Sequence, residues 1–135
     1  MKNTIILLTM LLFSGIGFAQ ESNNGKQLWA KSFLNEKAPE LTVETWISKK
    51  PDTEGKFVII DFWATWCGPC RKAIPELNEI AKEFSKDVVV IGISDEPVEK
   101  IKAMKEPVIE YYYGVDTKKT MDKILEIKGI PHVII

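Results

Sequence analysis

Two cysteines separated by two residues are the side chains in this chain with the clearest capacity for chemistry. Cys67 and Cys70 are the only cysteines among its 135 residues. A disulfide between them would close a very short loop and remove little entropy from the unfolded chain, so a purely structural bridge is a poor explanation. A zinc site needs about four ligands, and His132 is the only histidine that could join the pair. We therefore predict thiol-disulfide exchange at this pair, without a metal or a cofactor.

The position of the pair at the start of a predicted helix gives each thiol a role. Apolar residues recur at a helical period from Cys70 onward. The buried face of that helix would carry Ala73, Ile74, Leu77, Ile80 and Phe84. Unpaired N–H groups and the helix dipole stabilise a negative sulfur at the amino end, so Cys67 is the predicted nucleophile and the buried Cys70 the predicted resolving thiol. Gly68 and Pro69 shape the loop and add no positive charge, which favours a reducing pair.

The rest of the chain alternates between strand-like and helix-like segments. The strand patterns lie at 41–47, 57–63, 88–93, 108–115 and from 132 onward. A short helix is predicted at 98–104, with Pro107 as its stop, and a further helix is predicted after a cap at Asp116 or Thr117. This alternation predicts an α/β sheet flanked by helices, with the cysteines at the carboxyl end of a central strand.

The segment from Val58 to Cys70 resembles the active-site segment of thioredoxins almost residue for residue. An amino-terminal export signal, an extra strand region near Leu41 and an insertion after Ile93 resemble the periplasmic TlpA/ResA-type branch of the thioredoxin-like family. The resemblance covers about residues 38–135. It implies a thioredoxin-like fold, with a central mixed β-sheet flanked by helices, and a thiol-disulfide oxidoreductase activity.

The resemblance also assigns roles to residues outside the cysteine pair. Asp61 matches the family's buried acid, whose burial raises its pKa and lets it accept a proton from Cys70; an exposed strand-end aspartate is the alternative. Pro131 matches the family's cis-proline, beside which the backbone of Ile130 can pair with an extended segment of a partner protein. The expected substrate-binding surface comprises Trp66, Gly68, Pro69, Ile130 and Pro131.

Other aromatic and polar residues are given structural roles. Pro75 is expected to kink the helix, and Trp63 to lie in the core. Tyr111 to Tyr113 are expected to alternate between the core and the surface of a strand, with a docking role as the alternative. His132 is interpreted as a sheet histidine with its hydrogen bonds satisfied, although an acid or base role is the alternative.

The two ends of the chain differ from the predicted domain at 38–135. A positive Lys2, an apolar run and small residues before Gln20 predict a cleavable signal peptide at 1–19 and a periplasmic location. An uncleaved membrane anchor is the alternative, although the apolar run is too short to span a bilayer. The polar segment 20–37 is expected to be a linker or a docking segment.

The carboxyl end departs from the family, because only four residues follow Pro131. The resemblance implies another strand and a final helix after this point, so we expect a truncated domain that lacks both. A bare sheet edge would then reduce stability or favour self-association; otherwise a monomer is expected.

Charge and chemistry together limit the function. A net charge of −1, from 18 basic and 19 acidic residues in no long block, argues against a nucleic-acid partner. The expected function is reduction of disulfides in exported proteins, with cytochrome c maturation as one setting and a membrane protein as electron donor. The alternatives are an oxidant that donates disulfides, which Gly68 and Pro69 disfavour, and a binding module whose cysteines are silent.

Overall fold

The fold is a five-stranded mixed β-sheet with helices against both of its faces, seen in a computed structural model that describes residues 28–135. Its elements in chain order are β1 (Thr45–Trp46), β2 (Phe57–Phe62), α1 (Gly68–Glu83), β3 (Val88–Ser94), α2 (Val98–Ala103), β4 (Tyr112–Val115), α3 (Thr120–Leu125) and β5 (His132–Ile134). The spatial order of the strands is β1-β4-β3-β2-β5. β3 pairs in parallel with β2 and β4, whereas the outer strands β1 and β5 pair antiparallel with β4 and β2. The predicted mixed α/β sheet is therefore confirmed.

The two strands predicted to be buried on both faces are β2 and β3, which lie side by side in the sheet. Successive side chains of a strand point to opposite faces. Val90 accordingly packs in a cluster with residues of α1 and α2, whereas Val89 and Ile91 pack in a second cluster with residues of α3. Helices on both faces explain why β3 is almost continuously apolar.

Helix α1 begins at the cysteine motif, as predicted, and contains Pro75. Ile74 and Leu77 are buried on the predicted face. The prediction is wrong for Phe84, which is 46% exposed. The helix ends at Glu83, and Phe84 caps it with a φ of −101°, so its side chain is not held on the helical face that packs against the sheet.

Two strands are shorter than the sequence pattern predicts. β1 contains two residues rather than the segment 41–47, although Leu41 and Val43 still pack against the α3 side of the sheet. β4 begins at Tyr112 because a side chain of α1 forms hydrogen bonds with the backbone that precedes this strand. The Asn78 amide donates to Val108 O at 2.9 Å and accepts from Glu110 N–H at 2.8 Å. These hydrogen bonds replace strand pairing for residues 108–110.

The two short helices lie close to where they were predicted. α2 ends at Ala103, so it stops before the Glu106–Pro107 bond, which is cis. The residue that caps α3 is Lys119, so the prediction of a cap at Asp116 or Thr117 is wrong. The Asp116 carboxylate nevertheless accepts from Met121 N–H at 2.8 Å, which satisfies one donor of the first helical turn.

Part of the predicted linker lies against the carboxyl-terminal half of the chain. Lys31 N–H donates to Leu125 O at 2.7 Å, and Trp29 O accepts from Lys128 N–H at 3.0 Å. The predicted signal peptide lies outside the described residues. Within residues 28–135, none of the helices is long and apolar enough to cross a bilayer.

Candidate redox site

The two cysteines form a disulfide at the amino end of α1. Cys67 is the residue that caps this helix, and its Sγ accepts from Cys70 N–H at 3.3 Å. The N–H groups of a first helical turn have no partners within the helix, so they stabilise negative charge on a sulfur at this position. Cys70 is fully buried, whereas Cys67 retains 4% exposure. The sulfur predicted to be the nucleophile therefore combines the helix-terminal position with the small amount of access that the pair has.

The loop before the motif is held by a carboxylate that the sequence analysis did not single out. Glu96 is 5% exposed, and its two oxygens accept hydrogen bonds from the backbone N–H and the hydroxyl of Thr65. Lys100 Nζ lies 2.6 Å from Glu96 Oε1. Burial alone would raise the pKa of Glu96, but the hydrogen bonds from Lys100 and Thr65 together lower it. An ionised carboxylate thus fixes the backbone two residues before Cys67.

Asp61 is buried, as the resemblance implied, with 1% of its surface exposed. It lies on β2 next to Phe62, which faces the α3 side, so strand alternation places Asp61 on the face that α1 covers. Burial raises the pKa of this carboxyl to about 6, although a hydrogen bond from Tyr111 opposes the rise. A carboxyl with this pKa can accept and release a proton near neutral pH.

Tyr111 is the second residue of the site that sequence reasoning missed. Its hydroxyl donates to Asp61 Oδ2 at 3.1 Å, and its ring packs in the same cluster as Cys67 and Cys70. The three tyrosines do alternate, but between two covered faces of the sheet rather than between core and surface, because Tyr112 packs against the α3 side. A buried tyrosine needs a partner for its hydroxyl, which was the available signal, although the sequence does not reveal the partner.

The residues of the motif that are predicted to bind substrate are exposed to solvent. Trp66 is 67% exposed, and Gly68 and Pro69 are also exposed. A Cβ atom added to Gly68 would meet nothing within 4 Å, so the surface in front of the motif is open. Trp63, in contrast, is 1% exposed, which confirms its predicted core role.

The carboxyl-terminal loop approaches this surface. Ile130 packs against the cluster that contains both cysteines, and its bond to the exposed Pro131 is cis, as the resemblance implied. A groove of about 420 Å³ separates this loop from Trp66, and an ion pair between Lys119 and Asp95, 2.7 Å apart, borders the groove. Trp66 and Ile130 are thus brought to one groove. His132 is half-buried on β5 opposite Phe62.

The described residues include no group of three histidine, cysteine or acidic side chains arranged to hold a metal ion. The side chains of the site that can exchange electrons or protons include the two sulfurs and the Asp61 carboxyl. A disulfide at a helix amino end can be exchanged with external thiols, and a buried carboxyl can take up the proton released when a thiol becomes a thiolate.

A cysteine pair at the start of the helix that follows β2, together with a mixed five-stranded sheet, defines a thioredoxin-like protein. Residues 34–135 match the AhpC/TSA family, and the chain belongs to this family. The matched range contains every described strand and helix as well as the cysteine pair.

Individual relatives match about half of the chain. The thioredoxin-like protein YneN of Bacillus subtilis is 34% identical over 68 residues, which are 48% of this chain and 40% of that protein. Thioredoxin 1 of Synechococcus elongatus is 36% identical over 64 residues, 47% of this chain and 52% of that protein. The chain therefore spans about half the length of the curated relatives it matches.

Solved structures agree with this placement. The thioredoxin domain of a thiol-disulfide oxidoreductase from Bacteroides vulgatus superposes with a TM-score of 0.51 at 32% identity, covering 60% of this chain and 62% of that one. A thiol:disulfide interchange protein from Bacteroides sp. gives a TM-score of 0.51 at 31% identity and covers 59% and 57%. Both comparisons support the thioredoxin-like fold that the sequence predicted.

Proposed function

We propose that this protein is a thiol-disulfide oxidoreductase that reduces disulfides in exported proteins through Cys67 and Cys70. The observation that carries the proposal is the asymmetry of the pair. Cys67 caps α1 and keeps some exposure, whereas Cys70 lies fully buried one turn further along. One sulfur is placed to meet an external disulfide, and the other is placed to meet only its neighbour.

The exchange proceeds in two steps that conserve atoms and electrons. In the reduced protein, the Cys67 thiolate attacks one sulfur of a substrate disulfide, and the other substrate sulfur leaves as a thiolate. Cys70 then transfers its proton to Asp61 and attacks Cys67 Sγ, which closes the disulfide and releases the second substrate sulfur. The substrate gains two electrons and the cysteine pair loses them. A donor of two electrons must then reduce the pair again, and a membrane protein that passes electrons outward fits this requirement.

The surface around the disulfide supports a protein substrate. Trp66, Gly68 and Pro69 are exposed, and the groove between Trp66 and Ile130 is open to solvent. Extended segments of a partner can pair with exposed backbone at such a surface, so recognition through the Ile130–Pro131 loop is part of the proposal. Apocytochromes c, which carry a cysteine pair for haem attachment, are the first exported substrates to test.

Export rests on the first residues of the chain. The positive start, apolar run and small residues of segment 1–19 favour cleavage before Gln20 and a periplasmic product. Amino-terminal sequencing of the protein recovered from the periplasm tests this part. A first residue at or near Gln20 supports it, and recovery of the intact chain in the membrane fraction contradicts it.

The catalytic proposal is tested with two cysteine variants. The reduced protein is mixed with a disulfide-bonded test protein, and release of substrate thiols is followed with time. We expect Cys67→Ser to abolish reduction, and Cys70→Ser to stop at a mixed disulfide with Cys67 that is visible on a non-reducing gel. Reduction that survives Cys67→Ser would refute the proposed enzyme role of Cys67, and a wild type that reduces no disulfide would favour a binding module.

The direction of electron flow is tested by equilibrating the pair with glutathione or dithiothreitol redox buffers. We expect a potential near that of thioredoxin, about −270 mV, because neither Gly68 nor Pro69 adds positive charge beside Cys67, and such a value supports a reductant. A potential near −120 mV, roughly that of a strong disulfide donor, would reverse the proposed direction.

A further inference from the structure

We propose that Tyr111 is a positioning residue for the redox site, which acts by holding the buried Asp61 carboxyl through its hydroxyl and by setting the pH at which that carboxyl exchanges its proton. The inference rests on the proposed function of Asp61 as proton acceptor for Cys70. It adds a residue, and a way of tuning the site, that the cysteine motif does not contain.

The first observation is the contact between the two side chains. Tyr111 is 4% exposed and Asp61 is 1% exposed, and the hydroxyl donates to Oδ2 at 3.1 Å. No other side chain or backbone group within residues 28–135 donates a hydrogen bond to this carboxylate. The ionised form of Asp61 therefore depends on one donor, because water is largely excluded from the carboxyl.

The second observation is the route by which Tyr111 reaches Asp61. The tyrosine comes directly before β4, whereas Asp61 lies on β2, so β3 separates them in the sheet. Asp61 pairs in register with Gly92 on β3. A Cβ atom on Gly92 would lie 3.1 Å from Tyr111 Cε2 and 3.0 Å from Trp63 Nε1. The tyrosine ring thus passes over the one position of β3 at which the absence of a side chain leaves room for it.

The third observation is the location of the ring relative to the disulfide. Tyr111 packs in the same buried cluster as Cys67, Cys70 and Trp63. Within residues 28–135, no lysine, arginine or histidine charge acts on Asp61, and Tyr111 is the titratable group that faces it from the neighbouring elements, apart from the disulfide-bonded cysteines on α1. The ionised Asp61 carboxylate is therefore stabilised by a neutral hydroxyl and not by a nearby cation.

Tyr111 remains a donor throughout the working range of the site. Burial, followed by the adjacent Asp61 carboxylate, raises the pKa of Tyr111 well above its ordinary value of 10.0. The hydroxyl consequently keeps its proton at neutral pH and can only donate to an ionised Asp61. Removing it takes away a hydrogen bond that favours the charged carboxylate, so the carboxyl should hold its proton to a higher pH.

The direct test is an NMR titration of the Asp61 carboxyl carbon in the oxidised protein. Tyr111→Phe keeps the ring and removes only the hydroxyl, and Tyr113→Phe is the matched control because Tyr113 packs against the same cluster without a side-chain hydrogen bond to Asp61. We expect the midpoint to rise by about one pH unit in Tyr111→Phe, a tenfold change in proton affinity, and to stay unchanged in Tyr113→Phe. An unchanged midpoint in Tyr111→Phe overturns the proposal.

A second readout connects the hydroxyl to thiol chemistry. The rate of disulfide reduction is measured against pH for the wild type, Tyr111→Phe, Asp61→Asn and the double variant. We expect Tyr111→Phe to shift the pH profile of the rate by about one unit toward higher pH, as for the NMR midpoint. Once Asp61 is replaced by Asn, Tyr111→Phe should have no effect on the profile. A shift that persists in the Asp61→Asn background would overturn the proposal.

The two readouts separate this inference from the proposed function. The NMR midpoint needs no activity, so a protein that reduces no disulfide would refute the proposed function while the titration still decides whether Tyr111 sets the proton affinity of Asp61. A normal rate in every variant at every pH, with a shifted midpoint, would overturn the claim that Tyr111 acts on the redox step.

Discussion

Replacing Asp61 with asparagine should stabilise the oxidised protein, and the gain should depend on pH. The folded protein raises the pKa of this carboxyl from the ordinary value of 3.8 to about 6. Folding therefore takes up a proton between these two values, and the stability of the wild type falls as pH rises through this window. The rise is roughly two pH units, and each unit corresponds to 1.36 kcal/mol, so the ionised carboxyl destabilises the folded state by about 3 kcal/mol above pH 6.

Asparagine has nearly the same shape and cannot ionise. Its side-chain oxygen can still accept the Tyr111 hydroxyl, so the buried hydrogen bond is retained. At pH 8 we expect Asp61→Asn to raise the free energy of unfolding by up to about 3 kcal/mol. At pH 4 the folded wild type holds its proton and the unfolded chain is only partly ionised, so the two proteins should differ by less than about 1 kcal/mol.

Urea unfolding at a series of pH values between 4 and 8 measures this difference. The chain contains four tryptophans, which report unfolding by fluorescence. The disulfide stays oxidised throughout, so no thiol titrates in either state. Asp87→Asn is a control because Asp87 is exposed, and its effect should be within about 0.5 kcal/mol at every pH.

The comparison at the two ends of the pH series decides the result. An equal free energy of unfolding for wild type and Asp61→Asn at pH 8 would show that folding does not raise the proton affinity of this carboxyl. A loss of stability at pH 8 would show that the ionised carboxylate makes favourable contacts that the structure does not contain. Either result would also remove the basis for Asp61 as an acid or base near neutral pH.

Two further substitutions test the supports of the site. Gly114→Ala should destabilise the protein by about 1–3 kcal/mol in urea unfolding, because a Cβ there would lie 2.6 Å from Thr45 O. Gly129→Ala is the control, since a Cβ there would meet nothing within 4 Å, and it should change stability by less than about 0.5 kcal/mol. Equal effects of the two substitutions would contradict the packing of β1 on β4. Glu96→Gln should destabilise the protein by about 1–3 kcal/mol at pH 7 through weaker bonds to Lys100 and Thr65. Because the folded state lowers the pKa of Glu96, that deficit should shrink as pH falls below the ordinary value of 4.5, and a deficit that is the same at pH 3 would contradict the assignment.

The periodicity of apolar residues predicted those strands and helices whose pattern lies within one continuous stretch of sequence. The apolar run of β2, the continuous apolar run of β3 and the helical period after Cys70 each come from one stretch of sequence, and all three are confirmed. The pattern was less reliable at ends of elements. Phe84 continues the apolar period but follows the last residue of α1, and the segment before Tyr112 is bonded to a helix side chain instead of a strand.

The candidate site shows the same division between local and non-local information. Cys67 and Cys70 are recognised from their spacing, and the burial of Asp61 follows from its apolar neighbours. The hydroxyl of Tyr111 and the carboxylate of Glu96 reach their partners across 50 and 31 residues of chain. Pairings at such separations depend on the strand register and on the path of the loops, and periodicity within one segment does not specify either.

The site contains two buried carboxylates, and their surroundings give them opposite properties. Glu96 has a cation at 2.6 Å and two hydrogen bonds from Thr65, and the pKa of its carboxyl is lowered in spite of burial. Asp61 has one hydrogen bond from a neutral hydroxyl, and burial raises its pKa to about 6. The same change from carboxyl to amide should therefore destabilise the protein at position 96 and stabilise it at position 61. A carboxyl that destabilises the fold when ionised and titrates near neutral pH is suited to proton transfer, whereas one held ionised by a cation is suited to anchoring a loop.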